Sequence, residues 1–238
     1  MSRHEDIASA LAEVRARLGA ACSAAGRDPA EVMLLPVTKF FPASDVRILY
    51  GLGCREFGES REPEAGDKIA EVRSAPEVVD PVRWHMIGRL QRNKARSVGR
   101  WADTVHSLDS VRLADALDTA VGAARDEGVR SGPLRALIQV SLDADPARGG
   151  VPGAELLAVA DHVAGSSNLS LGGLMAVPPL GSDPDEAFER LQVVHADLLV
   201  SHPGATELSA GMTGDLEAAV RHGSTCVRVG TAILGRRR

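Results

Sequence analysis

The sequence of 238 residues is poor in cysteine and has no long apolar run. Its three cysteines, Cys22, Cys54 and Cys226, are widely spaced, which excludes a disulfide framework and a CxxC metal or redox site. No apolar segment approaches the roughly 20 residues of a membrane helix. The first residues also lack the apolar centre of a signal peptide. We therefore expect a cytoplasmic protein without a membrane partner, in which the cysteines are buried as small apolar side chains.

Aromatic residues are scarce as well, at 3% of the chain, and the net charge is -5. A nucleic-acid surface needs a basic face and usually stacking rings, so this composition argues against nucleic acid as a partner. The one basic run, Arg92, Lys94, Arg96 and Arg100, is interpreted as a solvated helix face with only Trp101 nearby. The histidines show no metal-binding spacing, and neither a dinucleotide fingerprint nor a Walker motif occurs.

Lysine is the rarest of the common charged residues: of 27 basic residues only Lys39, Lys68 and Lys94 are lysine. Lys39 ends the apolar run 33–38, which is typical of a parallel strand buried on both faces. Arginine stays protonated, whereas a lysine amine can lose its proton and attack a carbonyl. Lys39 is therefore a candidate for an amine with a chemical role. From its position alone, a solvated lysine that caps a strand is the alternative.

Strand patterns alternate with helix patterns along the whole chain. Ser2 and Glu5 have the spacing of a capping box, which predicts a helix over residues 3–24 before the first strand. Eight strands are predicted, at 33–39, 55–59, 82–88, 104–108, 134–140, 171–177, 206–209 and 226–230. This number in a chain of 238 residues fits a single-domain (β/α)8 TIM barrel, residues 1–238, with an extra N-terminal helix. A doubly wound open sheet is the alternative fold.

The loops after strands seven and eight have the composition of an anion site. Residues 209–213 read Ser-Ala-Gly-Met-Thr, and Gly230-Thr231 follows strand eight. In TIM barrels a phosphate commonly binds at these two loops, where backbone amides face the anion. Each glycine alone could simply serve a turn, but the pair of loops predicts a phosphate site. Asp215 would repel a phosphate, so we expect it to point outward.

Arg228 lies inside predicted strand eight, which neighbours strand one in a closed barrel. We expect its side chain to point into the site, and pairing with a carboxylate such as Glu59 is the alternative. A phosphorylated aromatic aldehyde would need an amine, a phosphate cradle and a partner for its ring nitrogen. Lys39, the two loops and Arg228 would supply these three features.

These residues belong to segments that resemble the pyridoxal phosphate homeostasis proteins, which are single-domain relatives of the alanine racemase barrel. The segments are LPVTK at 35–39, FGE at 57–59, WHMIG at 84–88, LQ at 90–91, NK at 93–94, GLM at 173–175, LSAGM at 208–212 and VRVGTAI at 227–233. The resemblance implies pyridoxal 5'-phosphate as cofactor and Lys39 as its Schiff-base lysine. It places Arg228 at the pyridine nitrogen. It further implies that the cofactor-binding set includes Met175, Ser209, Gly211, Met212, Gly230 and Thr231.

The chain departs from the family pattern near the second strand. Ser60 stands where the family usually has asparagine, and Arg-Glu-Pro at 61–63 is atypical, so a polar contact to the cofactor differs there. Thr38 replaces a common serine and keeps a hydroxyl.

The resemblance implies a protein that holds, buffers and delivers the cofactor as a lysine aldimine, without substantial turnover. An amino-acid racemase of the alanine racemase class is the alternative. Two-base racemisation needs a second acid or base, commonly a tyrosine, and the single tyrosine, Tyr50, is expected far from the mouth. We also expect no second domain to close the site, because the chain ends just after strand eight. The expected partners are pyridoxal-phosphate-dependent apoenzymes, and the expected state is a monomer.

Overall fold

The structure, a computed structural model, describes residues 2–143 and 149–236. Strands and helices alternate along these residues. The strands are β1 (Met33–Pro36), β2 (Glu56–Glu59), β3 (Arg83–Met86), β4 (Thr104–Leu108), β5 (Leu134–Gln139), β6 (Leu169–Met175), β7 (Glu207–Ser209) and β8 (Cys226–Val229). The α-helices are α1 (Arg3–Ala24), α2 (Ala43–Gly51), α3 (Glu64–Arg73), α4 (Ala95–Trp101), α5 (Val111–Asp126), α6 (Leu156–Ala164), α7 (Pro184–Ser201), α8 (Leu216–Arg221) and α9 (Thr231–Leu234).

The eight strands form one parallel sheet in the order β1-β8-β7-β6-β5-β4-β3-β2. A parallel bridge between Val37 and Gly58 joins the two ends of this order, and the Thr38 amide donates to the Gly58 carbonyl at 2.9 Å. These contacts close the sheet into a barrel. The (β/α)8 prediction is therefore confirmed, and the open sheet is excluded.

The strands are largely buried because the barrel interior and the helix layer cover both of their faces. All five residues of β4 are buried, and so are Leu35 of β1 and Trp84 of β3. The three cysteines are buried and unpaired, as predicted. Within the described residues no helix has both the length and the apolar character needed to cross a membrane.

The N-terminal helix α1 begins with the predicted capping box. The Glu5 amide donates to Ser2 Oγ at 3.3 Å, and the Ser2 amide donates to Glu5 Oε2 at 2.7 Å. The helix packs against α2, α8 and α9. Arg17 of α1 donates to the Thr213 carbonyl at 2.6 Å and so ties this helix to the loop after β7.

Most predicted strands are longer than the observed ones by one to three residues, and two elements differ in other ways. Strand β6 covers Leu169–Met175 and so begins and ends two residues early, because Leu169 and Ser170 already pair with β5. The short helix α9 follows β8 directly and was not predicted, because four residues are too few to display a helical period.

Candidate functional site

Lys39 lies just past β1, at the end of the barrel where the strands finish. Its side chain is exposed in a turn that starts after the Val37 bridge. It lines a cleft of about 370 Å³ together with Phe41, Glu59 and Lys68. Its predicted position at the barrel mouth is confirmed.

A buried ion pair supports the backbone just before Lys39. Lys68 of α3 donates to Glu59 Oε1 at 2.6 Å and to the Thr38 carbonyl at 2.9 Å. The Thr38 hydroxyl donates to the same carboxylate oxygen at 2.6 Å. Since Glu59 and Thr38 are both buried, this triad fixes the turn from which the Lys39 amine projects.

Arg228 of β8 is buried inside the barrel, with 5% of its surface exposed. Its Nη1 donates to Ser209 Oγ at 2.6 Å, and its Nη2 donates to the Ala176 carbonyl at 3.1 Å. No carboxylate pairs with it among the described residues, and burial lowers the pKa of its guanidinium. The alternative that Arg228 pairs with Glu59 is wrong, because Glu59 is bound by Lys68.

The loop after β7 presents backbone amides at the same end. The amide of Gly211 and the amide of Thr231, the first residue of α9, form no hydrogen bond within the described residues. The Met212 amide is different, because it donates to Asp215 Oδ1 at 2.6 Å. This half-buried carboxylate thus holds the turn of the loop, a role that the prediction for Asp215 did not include.

The predicted residues on strands β6 to β8 come together in space. Met175 is the register partner of Ser209, and the Gly211 carbonyl accepts from the Arg228 amide at 3.0 Å. A side chain at Gly230 would lie 3.2 Å from the Val37 carbonyl, so this glycine packs directly against the segment that leads to the lysine. Met212 stands apart from these buried residues, with 39% of its surface exposed.

A chain of polar side chains continues from Arg228 through the barrel interior. Ser209 Oγ lies 2.9 Å from His106 Nδ1, and His106 Nε2 lies 2.9 Å from His85 Nδ1. His85 Nε2 then lies 2.8 Å from Glu56 Oε2, at the first residue of β2. The chain therefore runs from the site to the opposite end of the barrel. If each neighbouring pair of these side chains shares one proton, every side chain in the series has its hydrogen-bonding capacity satisfied.

Burial and hydrogen bonds together set the protonation of His106 and Glu56. Burial lowers the pKa of His106 well below the ordinary value, and the positive charge of Arg228 acts in the same direction. Burial alone would raise the pKa of Glu56, but hydrogen bonds from His85 and Arg83 outweigh it and lower that pKa. The chain thus joins an ionised carboxylate at one end to a neutral imidazole beside Ser209.

Sequence reasoning missed His106 and Lys68. His85 and His106 lie on neighbouring predicted strands, but only the register shows that their rings meet. Lys68 carried a usable signal, since it is one of only three lysines. Tyr50 lies in α2, where its hydroxyl accepts hydrogen bonds from the backbone amides of Val79 at 3.1 Å and Asp80 at 2.9 Å.

Comparisons with known proteins show what this chain is similar to. The family model described as alanine racemase, N-terminal domain, matches residues 11–238. A Mycobacterium tuberculosis relative named pyridoxal phosphate homeostasis protein is 56% identical over 245 residues, or 99% of this chain and 95% of the relative. PipY of Synechococcus elongatus, solved with pyridoxal phosphate bound, is 34% identical with a TM-score of 0.81, over 96% of this chain and 100% of PipY. The alanine racemase of Corynebacterium glutamicum, 15% identical with a TM-score of 0.67 over 96% of this chain and 60% of its own, shares the fold.

Proposed function

We infer the function from family and site together: the chain belongs to the pyridoxal phosphate homeostasis proteins. We propose that it binds pyridoxal 5'-phosphate at the mouth of its barrel, holds it through Lys39 and yields it to other proteins. The observation that carries this proposal is that three complementary groups lie at the same end of the barrel. These are the Lys39 amine, the buried Arg228 guanidinium and the loops after β7 and β8.

The residues fit the cofactor's three polar features. Arg228 is a buried cation without a carboxylate partner, which suits a ligand atom that accepts a hydrogen bond. A ring nitrogen has this chemistry. The amides of Gly211 and Thr231 have no acceptor within the described chain, which suits a phosphate. Lys39 supplies the primary amine, and Lys68 with Glu59 holds the turn beneath it.

The bound cofactor would supply an aldehyde that a primary amine can attack, and an incoming amine can exchange for Lys39 in that link. The protein's own groups favour holding over turnover. Arg228 donates hydrogen bonds but retains its proton, so a ring nitrogen held beside it would stay unprotonated and the ring would be a weak electron sink. Storage and delivery need only the reversible link.

The racemase alternative is not favoured. Two-base racemisation would use a second acid or base opposite the lysine, and the only tyrosine is Tyr50. Its hydroxyl accepts two backbone amides, from Val79 and Asp80, and its ring packs under Arg55 with the guanidinium 4.0 Å from the ring centroid. These contacts hold Tyr50 near the end of α2, and Tyr50 is not among the residues that line the Lys39 cleft.

We extend the proposal to the setting of this activity: a cytoplasmic monomer whose recipients are pyridoxal-phosphate-dependent apoenzymes. The acidic composition, with a net charge of -5, supports a role apart from nucleic acid. Transfer of cofactor from the purified, loaded protein to an apoenzyme would test the recipients. If the apoenzyme regains activity no faster than it does with free cofactor, supplied at the concentration in equilibrium with the loaded protein, direct delivery is contradicted.

Lys39→Ala tests the site. The wild-type protein with pyridoxal phosphate should show a visible absorption band, and borohydride should fix the cofactor to one peptide. Because the chain has three lysines, peptide mapping assigns the adduct without ambiguity. Lys39→Ala should lose the band and the adduct, while the control Lys94→Ala should keep both.

An adduct on Lys68 or Lys94 of the wild-type protein would contradict the assignment of Lys39. Racemase, decarboxylase and transaminase assays on common amino acids should give at most trace rates. A rate within the common enzyme range, roughly 1 to 1,000 per second, would instead make the protein an enzyme.

A further inference from the structure

A second cleft, of about 820 Å³, opens at the same end of the barrel. It lies among the loops that follow β2, β3 and β4, and we call it the basic cleft. Five basic side chains line it: Arg61, Arg89, Arg92, Lys94 and Arg112. Because the whole chain carries a net charge of -5, this concentration of positive charge is local.

No carboxylate pairs with any of these five cations among the described residues, and Arg61 lies over the ring of Phe40. The side chains of Arg89, Arg92, Lys94 and Arg112 form no ion pair or hydrogen bond with any described residue. Arginines elsewhere on the surface do find carboxylates, as Arg17 does with Glu217. Cations held near one another without a counter-charge repel, and an anion among them relieves that repulsion.

The acidic side chains of the basic cleft do not neutralise it. Glu62 accepts hydrogen bonds from Ser97 and, at 3.2 Å, from Trp101 Nε1. Asp109 accepts from the Ser110 hydroxyl at 3.2 Å. Both carboxylates thus have neutral donors as partners. Five cations and two carboxylates leave a formal charge of +3 among the lining residues.

The basic cleft is separate from the anion site proposed for the cofactor. The phosphate loops follow β7 and β8, which lie across the barrel from β3 and β4 in the sheet order. Arg61 lines both the basic cleft and the Lys39 cleft, so the two adjoin. The LQ and NK segments at 90–91 and 93–94 have no place in the cofactor site. Leu90, Gln91 and Lys94 of these segments line the basic cleft.

We propose that the basic cleft is a second binding site, which takes a small molecule bearing a compact polyanionic group, either phosphoryl or polycarboxylate. A cleft of this size suits a small ligand. The guanidinium group of arginine binds phosphate and carboxylate oxygens alike. The site therefore selects a negatively charged ligand and does not distinguish a phosphoryl group from a polycarboxylate. This inference goes beyond the proposed function and does not depend on it.

Calorimetric titration at low salt tests the proposal, with inorganic pyrophosphate in one arm and citrate in the other. The protein is first loaded with pyridoxal phosphate, reduced with borohydride and freed of excess cofactor. The cleft variant combines Arg89→Gln, Lys94→Gln and Arg112→Gln. The control variant combines Arg73→Gln, Arg96→Gln and Arg190→Gln, three exposed arginines outside the cleft that remove the same charge.

The wild-type and control proteins should bind at least one of the two anions, and the cleft variant should bind it roughly tenfold more weakly or worse. Binding of pyrophosphate but not citrate would indicate a phosphoryl ligand, and binding of citrate but not pyrophosphate would indicate a polycarboxylate. The proposal is overturned if the cleft variant binds the anion as tightly as wild type does, or if the control variant loses as much affinity as the cleft variant. It is also overturned if the wild-type protein binds neither anion. If the protein takes no cofactor, the same comparison on unloaded protein isolates the cleft.

Arginine modification by phenylglyoxal gives a second measurement that needs no variant. The bound anion should slow modification of Arg89, Arg92 and Arg112, read by peptide mass spectrometry, and should leave Arg96 unchanged. Equal rates at all four positions with and without the anion would overturn the site even if the cleft variant failed to fold.

Discussion

His106 should make the folded state lose stability in mild acid. The ring is buried in the barrel, and its pKa lies well below the ordinary 6.5. At pH 8 the histidine is neutral in both folded and unfolded chains and contributes no pH dependence. As the pH falls below 6.5, the unfolded chain takes up a proton that the folded chain does not. The free energy of unfolding therefore decreases as the pH falls.

The slope follows from proton counting. Each such histidine contributes at most about 1.4 kcal/mol of unfolding free energy per pH unit. His106 should approach this limit near pH 5.5. Burial also lowers the pKa of His195, whose Nε2 lies 2.8 Å from the Ala205 carbonyl, so His195 adds a smaller share of the same sign.

The perturbation is His106→Gln, which keeps a neutral polar side chain and removes the titrating ring. At pH 8 the variant should be less stable by about 1 to 3 kcal/mol, because Ser209 or His85 loses a buried hydrogen-bond partner. Between pH 6.5 and 5.5 its unfolding free energy should fall less steeply than that of wild type. His195→Gln, the matched control, should remove only the smaller share of the slope.

Urea unfolding at intervals from pH 5.5 to 8, followed by circular dichroism, measures both quantities. A slope in His106→Gln equal to that of wild type would refute the reasoning. It would mean that His106 takes up its proton in the folded barrel, so that His85, His106 and Ser209 share their protons differently.

Two further predictions concern the phosphate loops and the barrel wall. Thr231→Ala should weaken cofactor binding by roughly 1.5 to 3 kcal/mol, because it removes one hydrogen bond to a charged acceptor, and unchanged affinity in a spectroscopic titration would count against the loop after β8. Gly173→Ala should cost about 4 kcal/mol or more in urea unfolding, because Gly173 has a φ of 147° and a Cβ there would lie 1.9 Å from the Glu207 carbonyl oxygen. Gly19→Ala, with open space around it, is the control and should not destabilise.

Much of the barrel could be predicted because burial on both faces of a parallel strand leaves a visible apolar run. The run 33–38 covers β1 and the bridge residue Val37 for this reason, whereas β4 is buried but contains Thr104, His106 and Ser107. The capping box fixed the start of α1, since it depends on two residues three positions apart. The beginning of β6 was missed because Leu169 and Ser170 join the sheet through pairing with β5, which a local pattern does not contain.

The interior of the site was harder to predict because its contacts join residues far apart in sequence. His106 meets His85 across 21 residues and Ser209 across 103 residues. Each contact depends on strand register, and a shift by one residue would turn the side chain to the other face. The role of Asp215 could not be predicted for a different reason, because repulsion from a phosphate does not reveal the loop amide that this carboxylate binds, here that of Met212.

The scarcity of lysine points to all three lysines, whereas the prediction concerned Lys39 alone. Lys68 uses its compact ammonium group to reach a buried carboxylate and a carbonyl at once, at 2.6 and 2.9 Å. Lys94 lines the basic cleft. In a chain that uses arginine for general charge, all three lysines therefore lie at the C-terminal end of the barrel, where (β/α)8 barrels usually carry their sites.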